Sequence, residues 1–254
     1  FKNATLEIIT IIICMIKIVK MNILFINHYA GSIRHGMAFR PYYLAREWVR
    51  SGHHVKILAS SQSHIRAAQP NLIGLSRLDE AIDGIEYTWF KTPPYVGNGI
   101  GRVRNIACFI ARLYKEAKKI ARSFKPDIVI ASSTYPMDIW PAHRIAKLAK
   151  AKLVFEVHDL WPLSPMELGG MSKWHPFIIL VQAAEDYAYR HADIVISMLP
   201  KVHEYMESRG LALHKLHIVP NGIDPMEWQA DSPGLPDAVR EELATIKDKG
   251  FSII

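Results

Sequence analysis

The sequence predicts an α/β fold in which helices cover a doubly wound, mostly parallel β-sheet. Short apolar runs alternate along the chain with longer segments of helical periodicity, which is the pattern of such sheets, and about seven strands can be counted. Hydrophobic residues make up 50% of the 254-residue chain, enough to form a substantial core. No internal repeat or low-complexity tract interrupts the alternation.

The first part of the sheet is predicted from a β-α-β unit. Residues 22–27 and 55–59 are apolar runs typical of strands, and residues 39–51 carry apolar side chains at helical spacing between them. The connection between these parallel strands should be right-handed. Residues 60–83 are polar and irregular, and residues 85–90 are predicted as a third strand.

The most strongly periodic helix is predicted at residues 103–124. Its apolar side chains form one stripe, and Lys and Arg residues cover much of the remaining surface. One interpretation is a solvated outer face. The alternative is an amphipathic helix that contacts an anionic membrane, with about 1 kcal/mol contributed by each basic residue near the surface.

The rest of the chain continues the alternation. Further strands are predicted at 127–131, 154–157, 193–197 and 216–219, and they are separated by helical segments. A dense turn signal follows at residues 220–225.

Three sections of the chain are predicted from these patterns. Residues 1–20 are an apolar leader or upstream extension, too short to span a bilayer and without a signal-peptide cleavage site. Residues 21–225 form the main α/β domain. Residues 226–254 contain a linker, a helix and a strand at the last residues, which suggests a further domain.

Charge and cysteine content limit the classes of partner and compartment. The net charge is +7 and the sequence pI about 9.3, which favours acidic partners such as phosphorylated ligands or an anionic membrane. Nucleic acid is not predicted, because aromatic residues do not cluster with the charges. The two cysteines, Cys14 and Cys108, suggest neither a disulfide framework nor a zinc site, so we expect a cytoplasmic protein without a bound metal.

The clearest functional signal follows the strand at 154–157. His158 and Asp159 end an apolar run, and Pro162 and Pro165 beyond them argue against a helix or a central strand. Ligands bind at the carboxyl ends of strands in open parallel sheets, so a catalytic role is predicted for His158. The alternative is a histidine with a purely structural role.

The loop between the first strand and first helix is a second candidate. It carries Gly31 and Gly36, with Ser32, Arg34 and His35 between them. Small residues let the backbone approach a ligand, and the amides at the start of the next helix favour anions. The spacing is not that of the dinucleotide fingerprint, and a flexible turn is an equally good interpretation. Neither a nucleophile elbow nor a P-loop motif occurs in the sequence.

Taken together, these segments resemble the amino-terminal domain of the retaining family 4 glycosyltransferases. The likeness covers most of residues 21–224, and the order of the segments is more specific than any one of them. The segments are MNILFINHYAGSIRHGMAFRPYYLA (21–45), GHHVKIL (52–58), PDIVIASS (126–133), LVFEVHDLWP (153–162), ADIVIS (192–197) and VPNGID (219–224).

This resemblance implies one Rossmann-like domain of a two-domain GT-B architecture, whose second, donor-binding domain would follow residue 254. It implies transfer of a sugar from a nucleotide-sugar to an acceptor with retention of configuration, without a cofactor or an essential metal. The acceptor would be a cell-envelope glycan, such as lipopolysaccharide, or a lipid-linked sugar. A peripheral location at the inner face of the cytoplasmic membrane would suit it.

The resemblance also implies roles for individual residues. His158 matches the family's histidine near the donor sugar, where it can donate a hydrogen bond to a sugar hydroxyl, and Asp159 could orient it or bind the acceptor. The loop from Gly31 to Gly36 matches the glycine-rich loop near the donor phosphates, although the family often has adjacent glycines there. The residues predicted to line the acceptor pocket are Ser133, Thr134, Tyr135 and Trp161. The resemblance further implies that Asn221, Gly222 and Asp224 form a hinge before the donor-binding domain.

Two other functions remain open at this point. One is a non-catalytic module that binds an acidic glycan or lipid. The other is a sugar-nucleotide epimerase of the same architecture, which would turn over its donor without an acceptor.

Overall fold

The computed structural model describes residues 20–97 and 99–222, which form an eight-stranded sheet flanked by helices. The strand order is β3-β4-β2-β1-β5-β6-β7-β8, and every pair is parallel except β3 with β4. The strands are β1 (Asn22–Ile26), β2 (His54–Ser60), β3 (Arg77–Ile82), β4 (Ile85–Phe90), β5 (Ile128–Ala131), β6 (Lys152–Val157), β7 (Ile194–Ser197) and β8 (Leu216–Ile218). The predicted doubly wound α/β fold is confirmed.

The helices connect successive parallel strands. They are α1 (Arg40–Arg50), α2 (Ile100–Ser123), α3 (Ile139–Ala149), α4 (Leu163–Glu167), α5 (Pro176–His191) and α6 (His203–Ser208). Short 3₁₀ turns occupy Pro136–Asp138 and Leu213–Lys215. Among the described residues, no helix combines the length and apolar character needed to cross a membrane.

The core has two parts, one on each face of the sheet. Alternation along β1 sends Leu24 and Ile26 to the face covered by α2, α3 and α5, and Ile23 and Phe25 to the face covered by α1. All four side chains are buried because β1 is central. The long apolar runs of the sequence are therefore strands buried on both faces.

The prediction that residues 60–83 are irregular is wrong for the last part of that segment. Residues Arg77–Ile82 form β3, an edge strand that pairs with β4 through a hairpin. The hairpin turn is Asp83-Gly84, and both residues have positive φ angles, 51° and 78°. An Asp-Gly pair favours this geometry, because glycine adopts positive φ without strain and Asp tolerates it.

The prediction that Pro162 and Pro165 prevent a helix is also wrong. Leu163–Glu167 forms the single turn α4, with Pro165 inside it. Proline is tolerated there, because the N–H groups of a first helical turn have no partner within the helix.

The chain divides into two compact units, Phe1–Pro220 and Asn221–Ile254. Of the second unit, the structure describes only Asn221 and Gly222. Asp224 of the predicted hinge, residues 226–254 and nearly all of residues 1–20 lie outside the described residues, so the predictions for them remain predictions.

Candidate functional site

The candidate site lies at the carboxyl ends of β1, β5 and β6. The sheet order changes direction at β1, because the chain adds β2, β4 and β3 on one side and then β5 to β8 on the other. The loops after β1 and β5 therefore lead to helices on opposite faces, and a crevice forms between them.

The strand register determines which polar side chains meet there. Ala131 of β5 pairs with both Ile26 of β1 and Phe155 of β6, so Ser132 lies beside Asn27 and Glu156. The Asn27 amide donates to the Ser132 carbonyl (2.6 Å) and to its Oγ (3.2 Å). These bonds join the ends of the two strands.

Glu156 is the centre of this cluster and is only 2% exposed. Its Oε2 accepts a hydrogen bond from Ser132 Oγ (2.6 Å) and lies 3.3 Å from His158 Nε2. Its Oε1 accepts from Arg40 Nε (3.1 Å) and Nη2 (3.0 Å). Burial opposes ionisation, but the contacts with His158, Arg40 and Ser132 outweigh it and lower the pKa of Glu156 to about 2.

Arg40 connects this carboxylate to the segment after β8. Besides Glu156, it donates from Nη1 to the Pro220 carbonyl (3.0 Å) and from Nη2 to the Val219 carbonyl (2.9 Å). One side chain at the start of α1 thereby holds together β6 and the backbone just before the predicted hinge. Neither Arg40 nor Glu156 is among the site residues predicted from the sequence.

His158 is partly exposed, and its Nε2 lies 2.9 Å from Ser132 Oγ. The carboxylate in contact with it is Glu156 and not Asp159. The Asp159 carboxylate accepts from the Leu160 N–H (2.9 Å) and the Ser164 hydroxyl (2.5 Å), so it stabilises the start of α4. The predicted orienting role of Asp159 is therefore wrong, and its binding of the acceptor stays a prediction.

The Gly31–Gly36 loop has a defined structure. The Gly36 N–H donates to the Ser32 carbonyl (2.8 Å), the Ser32 N–H donates to the Gly36 carbonyl (3.1 Å), and Gly36 has a φ of 83°. A Cβ on Gly31 would lie 1.8 Å from the Gly36 carbonyl oxygen, so only glycine fits. These constraints argue against a merely flexible turn.

The polar side chains of this loop differ in their exposure to solvent. Ser32 Oγ and His35 Nδ1 are hydrogen-bonded to each other (2.9 Å), and both residues are buried. Burial lowers the pKa of His35. The nearby Glu80 carboxylate raises that pKa, but by less, so the net shift is downward. Arg34 is exposed and lies 4.0 Å from Glu80, so it is the charged side chain that the loop presents to solvent.

The residues predicted to line the acceptor pocket are only partly accessible. Tyr135 is fully buried, and its hydroxyl bonds to His28 Nδ1 (2.5 Å), while buried Ser133 accepts from the His28 N–H (3.0 Å). In this structure neither can line an open pocket. Thr134 and Trp161 are half-buried, so part of each residue remains exposed.

Two further groups near the site were not predicted. Burial raises the pKa of Asp138 to about 7, although hydrogen bonds from Ser133 lower it. The guanidinium of Arg102 lies 5.5 Å from the Tyr29 ring and 6.0 Å from the Trp161 ring, and its Nε donates to the Tyr29 hydroxyl (3.1 Å). This cation links the loops after β1 and β6.

Among the described residues, no group of three or more His, Cys, Asp or Glu side chains could hold a metal ion. Asn221 and Gly222, two residues of the predicted hinge, are the last two described, directly after the carbonyls that Arg40 binds. Arg40 makes further contacts within the chain besides those given above.

Comparison with known proteins places the chain among sugar transferases. The sequence model of the glycosyl transferase 4-like domain matches residues 35–222. No curated protein sequence matches the chain significantly.

Several solved structures have a similar fold. HepE from Anabaena, in complex with UDP-glucose, is 15% identical with a TM-score of 0.51, and the match covers 88% of this chain and 50% of HepE. Sucrose-phosphate synthase from Thermosynechococcus elongatus is 12% identical with a TM-score of 0.57, covering 81% of this chain and 49% of the synthase.

The catalytic domain of starch synthase IV from Arabidopsis thaliana, bound to ADP and acarbose, is 14% identical with a TM-score of 0.51, covering 85% of this chain and 54% of that domain. At such identities the likeness shows the fold alone, which confirms the predicted Rossmann-like domain. The chain spans about half the length of each of these proteins.

Proposed function

The chain belongs to the glycosyl transferase 4-like family, and we propose that its protein transfers a sugar from a nucleotide-sugar donor to a cell-envelope glycan or lipid-linked acceptor with retention of configuration. Because the chain spans about half the length of similar glycosyltransferases, this activity is proposed for the whole protein. The donor class is supported by the similar structures that hold UDP-glucose and ADP. We propose no cofactor and no essential metal.

The observation that carries the proposal is the position of His158. It lies at the carboxyl edge of the parallel sheet, is partly exposed, and is held by a buried carboxylate through Ser132. A fixed imidazole at such an edge can form a hydrogen bond with a sugar hydroxyl and stabilise charge that develops at the reacting carbon. The leaving phosphate would take the acceptor proton, so no protein base is required of this chain.

The acceptor is proposed to bind beside His158, between the Gly31–Gly36 loop and Trp161. The exposed Arg34 carries a positive charge on the loop, and the guanidinium of Arg102 lies 6.0 Å from the Trp161 ring. Both cations suit an acceptor with acidic or phosphorylated groups. The donor nucleotide is proposed to bind mainly to a second domain outside the described residues.

An apolar groove next to the site supports the lipid part of the proposal. Its volume is about 350 Å³, and α2, α3 and α5 form it, with Ala107, Ile110, Trp140, Phe177 and Leu180 in its lining. Phe177 packs against Trp161, which connects the groove to the crevice. We propose that the groove takes the apolar part of an anionic bilayer or lipid-linked acceptor, at the inner face of the cytoplasmic membrane.

The proposal is tested with the complete protein and a panel of UDP- and ADP-linked sugars, in the presence of a cell-envelope glycan or lipid extract. We expect acceptor-dependent release of the nucleoside diphosphate from one donor, and an NMR spectrum of the product that shows the donor's anomeric configuration. Inversion of that configuration would contradict retention. Donor turnover without an acceptor would instead indicate an epimerase, and binding without turnover a non-catalytic module.

The same assay tests the role of His158. We expect His158→Ala to reduce kcat/KM by about 10²-fold or more, because the substitution removes a contact that strengthens in the transition state. The control is His203→Ala, which changes an exposed histidine of α6 and should leave the rate unchanged. Near-normal turnover by His158→Ala, with the fold intact by circular dichroism, would refute the catalytic role.

A further inference from the structure

We infer that Glu156 sets the tautomer of His158, so that Nε2–H points into the domain and Nδ1 is the nitrogen presented to the ligand. Glu156 and Arg40 are then positioning residues, since they act through His158. The inference rests on the proposed function only for the nature of the ligand, a sugar hydroxyl. The geometry of the cluster carries the rest.

The proton on Ser132 Oγ belongs to the bond with Glu156. The Glu156 carboxylate is ionised because it pairs with the Arg40 guanidinium, so it can only accept, and its Oε2 lies 2.6 Å from the hydroxyl. Ser132 Oγ also accepts a hydrogen bond from the side-chain amide of Asn27 (3.2 Å). Exchanging the oxygen and nitrogen of that amide would break another hydrogen bond, because Asn27 Oδ1 accepts from the Tyr29 N–H (3.0 Å). The hydroxyl therefore has no proton left for His158.

It follows that His158 Nε2 must carry a hydrogen. This nitrogen lies 2.9 Å from Ser132 Oγ and 3.3 Å from Glu156 Oε2, and both oxygens act as acceptors. A bare Nε2 would place three lone pairs against one another in a buried site, which is strongly unfavourable. The neutral ring is thus confined to the Nε2–H tautomer.

Arg40 makes this arrangement specific. Its Nε and Nη2 both donate hydrogen bonds to Glu156 Oε1, so Oε2 is the oxygen that faces Ser132 and His158. Without a cation, a carboxylate buried to this degree would favour its protonated form, and a protonated Glu156 could donate to Ser132 and release the restriction on Nε2.

The opposite ring nitrogen is the one left for substrate. Within residues 20–97 and 99–222, no group is hydrogen-bonded to His158 Nδ1, and the side chain is 17% exposed. In the neutral ring Nδ1 carries a lone pair, so a sugar hydroxyl would donate to it. This reverses the expectation from the sequence that the imidazole donates to the hydroxyl.

The inference is tested by NMR on the 254-residue chain labelled with ¹⁵N-histidine. Long-range ¹H–¹⁵N correlations distinguish the two neutral tautomers, and the His158 signals are assigned by their loss in His158→Gln. At a pH where the ring is neutral, we expect a protonated Nε2 and an unprotonated Nδ1. An Nδ1–H tautomer in the unsubstituted chain would overturn the inference by itself.

Glu156→Gln provides the second measurement. Arg40 requires the amide oxygen of the new side chain, so the NH₂ group would face Ser132 and His158 as a donor. We therefore expect the shifts of the two ring nitrogens to exchange, giving the Nδ1–H tautomer. Asp159→Asn is the matched control and should leave the tautomer unchanged. An unaltered tautomer in a folded Glu156→Gln variant would refute the role of Glu156.

These outcomes do not depend on catalysis. If the complete protein transfers no sugar but the tautomer is as inferred, the proposed function fails and the inference stands. If transfer is observed and the tautomer is reversed, the proposed function stands and the inference fails.

Discussion

Residues of one strand face determine the chemistry of the site. Side chains alternate along β6, so Val154 and Glu156 lie on the same face of the strand, and His158 contacts Glu156 just beyond the strand's end. The face of β6 that carries Val154 and Glu156 is covered by α1, and Arg40 is the first residue of that helix. The segment LVFEV (153–157) already contains part of this information, because Glu156 is the one charged residue in an apolar run. Arg40 could not be predicted, because its contact spans 116 positions.

Asp138 is a second residue whose environment is not visible in the sequence. It is fully buried, its Oδ2 accepts the Ser133 N–H (2.9 Å), and its Oδ1 has no partner among the described residues. Burial raises its pKa from 3.8 to about 7. The folded protein therefore retains a proton that the unfolded chain releases at a lower pH.

This difference predicts a pH-dependent gain in stability for Asp138→Asn. As the pH rises from about 4 to about 7, only the unfolded wild-type chain loses the proton, so the wild type loses up to about 4 kcal/mol relative to the variant. Below about pH 4 the difference between their free energies of unfolding should not change with pH. Urea unfolding of both proteins at several pH values measures the change, and a difference that does not vary with pH would contradict it.

Secondary-structure elements were predictable where a single periodicity dominates. The apolar stripe of α2 and the buried strands are visible in the sequence, whereas β3 was missed because edge strands are short and polar. The signal for β3 was the Asp83-Gly84 pair that precedes β4. The turn α4 is not predicted by the presence of Pro162 and Pro165, because proline breaks a helix in its interior but is tolerated at the N-cap and in the first turn.

The Gly31–Gly36 loop gives a prediction at this scale. We expect Gly31→Ala to destabilise the protein by about 3 kcal/mol, because a methyl group 1.8 Å from the Gly36 carbonyl oxygen must displace the backbone. Gly99→Ala is the control, since a Cβ at that position meets nothing within 4 Å. Urea denaturation of both variants measures the difference, and equal stabilities would show that the loop is flexible.

At the scale of the whole molecule, the sheet order brings residues distant in sequence to one edge. Asn27 and Ser132 directly follow β1 and β5, Glu156 belongs to β6, and the register of β5 with β1 and β6 places the three side by side. The alternating pattern of the sequence predicts the parallel sheet and the location of a crevice. It does not predict the register, because several pairings of short apolar strands bury the same side chains.

The net charge and the groove together lead to a prediction about membranes. Arg104, Lys115 and Lys118 are exposed on α2 along one side of the groove. Leu180 of α5 lines the groove and is exposed, and Trp174, two residues before α5, is exposed as well. Apolar side chains next to basic ones suit the interface of an anionic bilayer, where each basic residue contributes about 1 kcal/mol.

We therefore expect the 254-residue chain to co-sediment with phosphatidylglycerol-containing vesicles at low salt, and much less with neutral phosphatidylcholine vesicles. Replacing Arg104, Lys115 and Lys118 by Gln should weaken binding about 10²-fold, since about 3 kcal/mol of attraction is removed. The matched control replaces Arg50, Lys150 and Lys201 by Gln, which changes net charge equally on other surfaces. Equal losses in both variants would mean that net charge alone attracts the chain to lipid, and that the groove face has no special part in membrane contact.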